Sequence, residues 1–111
     1  MFYVEKTIEV AVAHHLSLNY ESKCTRIHGH NLLVTVYCKS KELNENGRVV
    51  DFYDVSKIVK QKLDHQYVNN KVDFNPTAEN IARWLCEQIP HCYKVSVRES
   101  ERNMATYERD D

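Results

Sequence analysis

Apolar and polar residues alternate over the first part of the chain, with Ile8, Val10 and Val12 on one side and Glu9, Ala11 and Ala13 on the other. A period of two is that of a half-buried strand, so residues 2–13 are expected to form one. A polar connection over 15–27, containing Ser17, Asn19 and Ser22, leads to a second alternating run at 30–40, with Leu32, Val34, Val36 and Cys38 on its apolar side. Asn44-Glu45-Asn46-Gly47 reads as a turn, since Asn-Gly takes positive φ at low cost. Asp51 is then a plausible helix N-cap, and Val55, Ile58, Val59 and Lys62 or Leu63 follow the i, i+3, i+4 spacing of an amphipathic helix.

Residues 64–76 carry no clear period and are expected to be irregular. A second helix should begin near Pro76 or Thr77, because Pro suits a first turn, Asn75 or Thr77 can cap it, and Glu79 sets a negative charge at its positive end. Its inward stripe is expected to be Ile81, Trp84, Leu85, Gln88 and Ile89, and Pro90 ends it. A third strand at 93–99 places Tyr93, Val95 and Val97 on one face, and by that parity Glu99 with them; a turn at 101–103 returns a short fourth strand through Met104 to Tyr107. The order β, β, α, α, β, β predicts a single α+β domain over 1–111, with one antiparallel sheet and both helices on one face.

The chemistry concentrates at Cys24-Thr25-Arg26-Ile27-His28-Gly29-His30. Two histidines set two apart on a strand project from one face, and neutral imidazole is the commonest protein ligand for zinc. Three protein ligands with an open fourth position make a catalytic zinc site. The third ligand is sought at His14 or His15; alternation extends Ile8, Val10 and Val12 to His14, which is therefore taken. Cys24 sits beside these candidates, where a cation would favour the thiolate. Cys38 reads as a small buried hydrophobe, while Cys86 and Cys92 flank a helix end without recognisable partners. Two further groups bear on proton transfer and ligand binding. Asp64-His65 reads by itself first as a helix C-terminal histidine favoured by the dipole, and otherwise as a carboxylate orienting a base that titrates near neutrality. Glu99 is either a strand-end residue turned to solvent or a carboxylate that accepts a forked pair of N–H donors.

Composition narrows the function classes. A net charge of -1 with no sustained basic stripe argues against nucleic acid as the partner. No apolar run approaches the roughly 20 residues that span a bilayer, and no charged-then-apolar leader opens the sequence, so a cytoplasmic protein acting on a small molecule is expected. The four cysteines form no Cys-x-x-Cys pair, which speaks against a zinc knuckle or a thioredoxin-type motif.

Six groups of residues, in order, resemble the 6-pyruvoyltetrahydropterin and 6-carboxytetrahydropterin synthase family: Ala13-His14-His15-Leu16, Cys24-x-x-x-His28-Gly29-His30, Val50-Asp51-Phe52, Leu63-Asp64-His65, Asn75-Pro76-Thr77-Ala78-Glu79-Asn80 and Val97-Arg98-Glu99. The three-residue gap between Cys24 and His28 resembles the carboxy-forming, queuosine-pathway branch. The resemblance implies the tunnelling fold, with ββααββ subunits assembling into a trimer or a dimer of trimers and active sites between subunits. It implies Zn2+ on His14, His28 and His30, catalysis by Cys24, Asp64 and His65, and binding of a pterin triphosphate by Glu99, Thr77 and Glu79. The implied reaction converts 7,8-dihydroneopterin triphosphate to 6-carboxytetrahydropterin, with loss of triphosphate and acetaldehyde. Lys23, Arg26 and Arg102 are candidates for holding the triphosphate.

Overall fold

A computed structural model describes residues 1–110. Two long strands, β1 (Phe2–His14) and β2 (His28–Ser40), form an antiparallel ladder along their whole length, from Phe2 opposite Ser40 to His14 opposite His28. Helix α1 (Phe52–Leu63) follows, then a short strand β3 (Gln66–Tyr67), helix α2 (Ala78–Gln88), and the hairpin of β4 (Cys92–Arg98) and β5 (Met104–Glu108). The sheet order is β3-β1-β2-β4-β5.

The α+β architecture is the expected one, but the sheet is mixed. Gln66 and Tyr67, in the segment expected to be irregular, pair parallel to Val12 and Ala13. Two residues of strand are too short to show a period. They are held because the His65 N–H donates to the Ala11 carbonyl (2.7 Å), which lays the chain leaving α1 alongside β1.

The alternation does its predicted work on β1 and β2. Ile8, Val10, Val12, Leu32, Val34, Val36 and Cys38 are all buried, and Val55, Val59 and Leu63 of α1 cover them. The Asp51 carboxylate caps α1 by accepting from the Tyr53 N–H at 2.8 Å, and Gly47 adopts φ +75° in the preceding turn. No helix among the described residues is long and apolar enough to cross a membrane.

Two expectations about packing need correction. The buried face of α2 consists of Ala78, Ile81, Ala82, Leu85 and Cys86, with Ile89 just beyond, while Gln88 is exposed and Trp84 only half-buried. The small residues Ala82 and Cys86 let the helix lie close on the sheet. Trp84 instead packs edge-on against Phe74, with the Lys62 ammonium over its ring.

The second correction concerns Tyr93. The β2–β4 register shifts between Tyr37 and Cys38, so Val36 faces Val95 while Cys38 faces Cys92. The extra residue turns Cys92 inward and Tyr93 outward against the rings of Tyr3 and Tyr37, 6.0 and 6.4 Å away. A bulge is invisible to a parity count, and it also gives Cys92 a partner that the sequence did not suggest.

Candidate active site

The inward alternation of β1 ends on His14, only 1% exposed although it is polar. Antiparallel register sets His28 directly across from it and His30 across from Val12, which puts all three imidazoles on the helix-covered face at one end of the ladder. Their ring centroids lie 4.5, 5.1 and 4.9 Å apart. One nitrogen from each ring falls within 4.8 Å of the other two.

Hydrogen bonds fix which nitrogens face inward. His14 Nδ1 lies 2.8 Å from the Pro76 carbonyl and His28 Nδ1 lies 2.7 Å from the Arg26 carbonyl. A carbonyl can only accept, so each Nδ1 donates, and in the neutral ring it is Nε2 that carries the free lone pair. This is the tautomer of a metal-ligating histidine with its other nitrogen held by the backbone. The Nε2 atoms of His14 and His30 are buried and have no hydrogen-bond partner. Burial depresses the His14 pKa, and the neighbouring His28 and His30 add to the effect, so the ring is held neutral. Three convergent imidazoles, two of them with buried, unpartnered nitrogens, fit a divalent transition-metal ion. His15, the alternative third ligand, turns to the other face, where its ring stacks on Tyr67 and hydrogen-bonds its hydroxyl.

Beside this cluster is a cavity of about 430 Å³ whose lining includes Cys24, Thr77, Glu79, Glu99 and Arg102. Cys24 is carried on a single 3-10 turn, Lys23–Thr25, capped by the Ser22 hydroxyl, which accepts from the Cys24 N–H. Thr77 caps α2 by accepting from the Asn80 N–H at 3.1 Å, which seats Glu79 in the first turn of the helix. Glu99 follows β4 directly, its N–H bonded to the Asn103 carbonyl, and its charge reaches His14. Pro76 and Thr77 are adjacent, so the cavity wall is continuous with the carbonyl that holds His14.

Asp64 and His65 do not join them. They lie at the β3 edge, where Asp64 Oδ1 accepts from the Ala11 N–H and Oδ2 lies 3.8 Å from His65 Nε2. The His65 side chain is 83% exposed and lines no part of the cavity of its own chain. Its backbone is left-handed at φ +57°, a conformation that costs a non-glycine residue about 1–2 kcal/mol. That turn presents the imidazole outward. Sequence reasoning passed over Pro76 as a partner of His14 and passed over Asn69, and it took Asn75 as a possible cap of α2, whereas both asparagine side chains bond the backbone just past β1 and Thr77 is the cap. Main-chain acceptors leave no mark in a sequence, and the two asparagines stand in a segment without period.

The model of the family described as 6-pyruvoyl tetrahydropterin synthase matches residues 3–110. The chain belongs to this family. A relative in Bacillus subtilis named 6-carboxy-5,6,7,8-tetrahydropterin synthase is 27% identical over 96% of this chain and 84% of its own. A protein of Archaeoglobus fulgidus, provisionally given the same name, is 36% identical over 84% of this chain and 85% of its own. The structure of 6-pyruvoyl tetrahydropterin synthase from Caenorhabditis elegans superposes with a TM-score of 0.76 at 24% identity, covering 96% of this chain and 94% of that one. At that identity the superposition establishes the tunnelling fold, and membership makes this chain an enzyme of the pterin-synthase family.

Proposed function

We propose that this pterin-synthase family member is a zinc-dependent, cytoplasmic 6-carboxytetrahydropterin synthase. It converts 7,8-dihydroneopterin triphosphate to 6-carboxy-5,6,7,8-tetrahydropterin, releasing triphosphate and acetaldehyde, on the route to queuosine and other 7-deazaguanines. The observation that carries this reading is the pair of buried, unpartnered Nε2 atoms on His14 and His30, beside a cavity lined by a thiol and two carboxylates. The names of the two relatives and the three-residue gap between Cys24 and His28 favour the carboxy-forming branch.

Bound zinc would supply Lewis acidity toward the oxygens of the substrate side chain, acidifying the neighbouring C–H and O–H groups. Cys24 takes and returns a proton on the side chain from one face. Glu99 accepts two N–H bonds from the guanidine-like edge of the pterin and so fixes the ring's orientation. Thr77 and Glu79 border the same ring, and Arg102 is a cation available to the triphosphate. Asp64 and His65 form the second proton carrier, with Asp64 orienting the imidazole. Because the His65 imidazole is exposed and lines no part of the cavity of its own chain, it serves the cavity of a neighbouring subunit in a trimer or dimer of trimers.

The sister reaction, triphosphate elimination to 6-pyruvoyltetrahydropterin, is the second reading, favoured by the description of the matched family. Incubating the zinc-loaded protein with 7,8-dihydroneopterin triphosphate and weighing the products separates them. A 6-carboxy product with acetaldehyde is expected. A 6-pyruvoyl product without acetaldehyde establishes the sister activity, and unconsumed substrate reduces the chain to a non-catalytic zinc-binding module.

A further inference from the structure

Beyond His14 the chain has left its strand partners. The β1–β2 ladder stops at His14 opposite His28, and the β1–β3 pairing stops at Ala13 opposite Tyr67. Residues 15–17 are instead held by side chains. The Asn69 amide accepts from the His15 N–H (2.9 Å) and donates to the His15 carbonyl (3.0 Å). Two residues on, the Asn75 amide accepts from the Ser17 N–H (2.9 Å) and donates to the Ser17 carbonyl (3.0 Å). A primary amide carries a donor and an acceptor side by side, so each asparagine reproduces the paired bonds of a neighbouring strand.

The opposite edge of this segment leads to the thiol. The Leu16 N–H donates to the Cys24 carbonyl at 2.8 Å. Continuing the ladder register would have set Leu16 against Arg26, so the chain has slipped by two residues and drawn Cys24 back toward His14. Asn75 also precedes Pro76, whose carbonyl holds His14, and its own carbonyl accepts from the Asn80 side chain in the first turn of α2. One short segment thus ties together the support of a histidine and the support of the cysteine.

We infer that Asn69 and Asn75 are positioning residues, a two-residue substitute strand that sets the Cys24 thiol at its working distance from the three-histidine cluster. The inference deepens the functional reading above and rests on it for the identity of the reaction. Neither asparagine lines the cavity; both act through the backbone of residues 15–17. Displacing a reacting group by about 1 Å costs on the order of 100-fold in rate, so loss of either clamp should lower kcat by about that factor. KM should change little, since the cavity walls at Thr77, Glu79 and Glu99 are left alone.

The test compares zinc-loaded wild type with Asn69→Asp, Asn75→Asp and Asn44→Ala. Each Asp variant keeps the acceptor and loses the donor. Asn44 is the control, because its side chain bonds the Asn46 and Arg48 N–H groups in a turn away from the site. Two quantities are read: kcat and KM with 7,8-dihydroneopterin triphosphate, and the rate at which iodoacetamide alkylates Cys24, followed by peptide mass. In the Asp variants kcat should fall at nearly constant KM and Cys24 should alkylate several-fold faster, while Asn44→Ala loses comparable thermal stability and moves neither. Wild-type kcat and alkylation rate in both Asp variants, or equal losses in Asn44→Ala, overturn the inference. If wild type consumes no substrate, the functional reading falls, and the alkylation rates alone still decide whether the asparagines position Cys24.

Discussion

The sheet buries a polar cluster toward each end of β2, and the two clusters are built on opposite terms. Near Cys38 the thiols of Cys38, Cys86 and Cys92 lie close together, with Cys38 Sγ donating to the Pro90 carbonyl and Cys92 Sγ to the Lys94 carbonyl. The S–H groups of Cys38 and Cys92 each find an acceptor within the chain. At the other end the imidazoles of His14 and His30 keep buried Nε2 atoms with no partner. A buried polar atom left unpaired costs about 1–3 kcal/mol, so the second cluster makes sense only if something else occupies it. Residue type alone would not separate the two, since cysteine and histidine are both metal ligands; the state of their hydrogen bonds does.

The sharpest way to break this contrast is to remove a histidine. His30→Ala should reduce bound zinc from one per chain to near zero by atomic absorption, with turnover lost. Added zinc should raise the thermal midpoint of wild type and not of the variant, because a ligand stabilises only a state that binds it. Zinc retained in His30→Ala would show that the unpaired imidazoles are not the ligands.

Cys24→Ala should separate holding the metal from moving the proton. Zinc content should stay as in wild type while kcat falls by about 10²–10⁴-fold, the range for a positioned acid or base. A variant with near-normal turnover would remove Cys24 from the chemistry.

The outward placement of His65 gives a third expectation. Cys24→Ala and His65→Ala chains, each inactive alone, should regain activity when unfolded together and refolded into mixed oligomers, since one cavity can then draw its thiol and its imidazole from different intact chains. Mixed oligomers that stay inactive would place both groups in the site of a single chain.

The smallest effects belong to the thiol corner. Cys86→Ala should leave zinc content and kcat unchanged and cost about 1 kcal/mol of stability, the ordinary scale of a core substitution. Burial pushes the Cys86 thiol up to about 11 from 9.0, and the neighbouring Cys38 sulfur together with burial pushes Cys92 up as well. A pKa raised on folding means that the native state holds its proton more tightly than the unfolded chain. The stability this contributes is complete below pH 9 and is lost as pH rises through about 11. Chemical denaturation at pH 8, 9.5 and 11 should show the midpoint falling across that window, and falling less in Cys86→Ala.

How much of this could be read from the chain depends on the kind of signal. The alternation ending on His14 separated it from His15, because a strand sends neighbouring residues to opposite faces and no tertiary information is needed to choose. The helices, the Asp51 cap and the Asn-Gly turn were legible for the same local reason. Tyr93 was misplaced because one bulge reverses parity, and the α2 stripe because a helix's rotation is chosen by the surface beneath it. Beside the expected Ile81 and Leu85, α2 turned the small Ala82 and Cys86 inward rather than the large Trp84.

What the sequence determined by itself is therefore the set of elements, the His-Gly-His pair with its upstream partner, and the family motifs carried on them. Only the tertiary structure decided that Pro76 holds His14, that Cys24 shares a cavity with Thr77, Glu79 and Glu99, and that Asp64 and His65 face away from it. The physical reason is one of range. Side-chain direction follows from backbone period within a few residues, whereas meetings between residues fifty or more apart are set by sheet register, a bulge and main-chain acceptors that no side-chain pattern records.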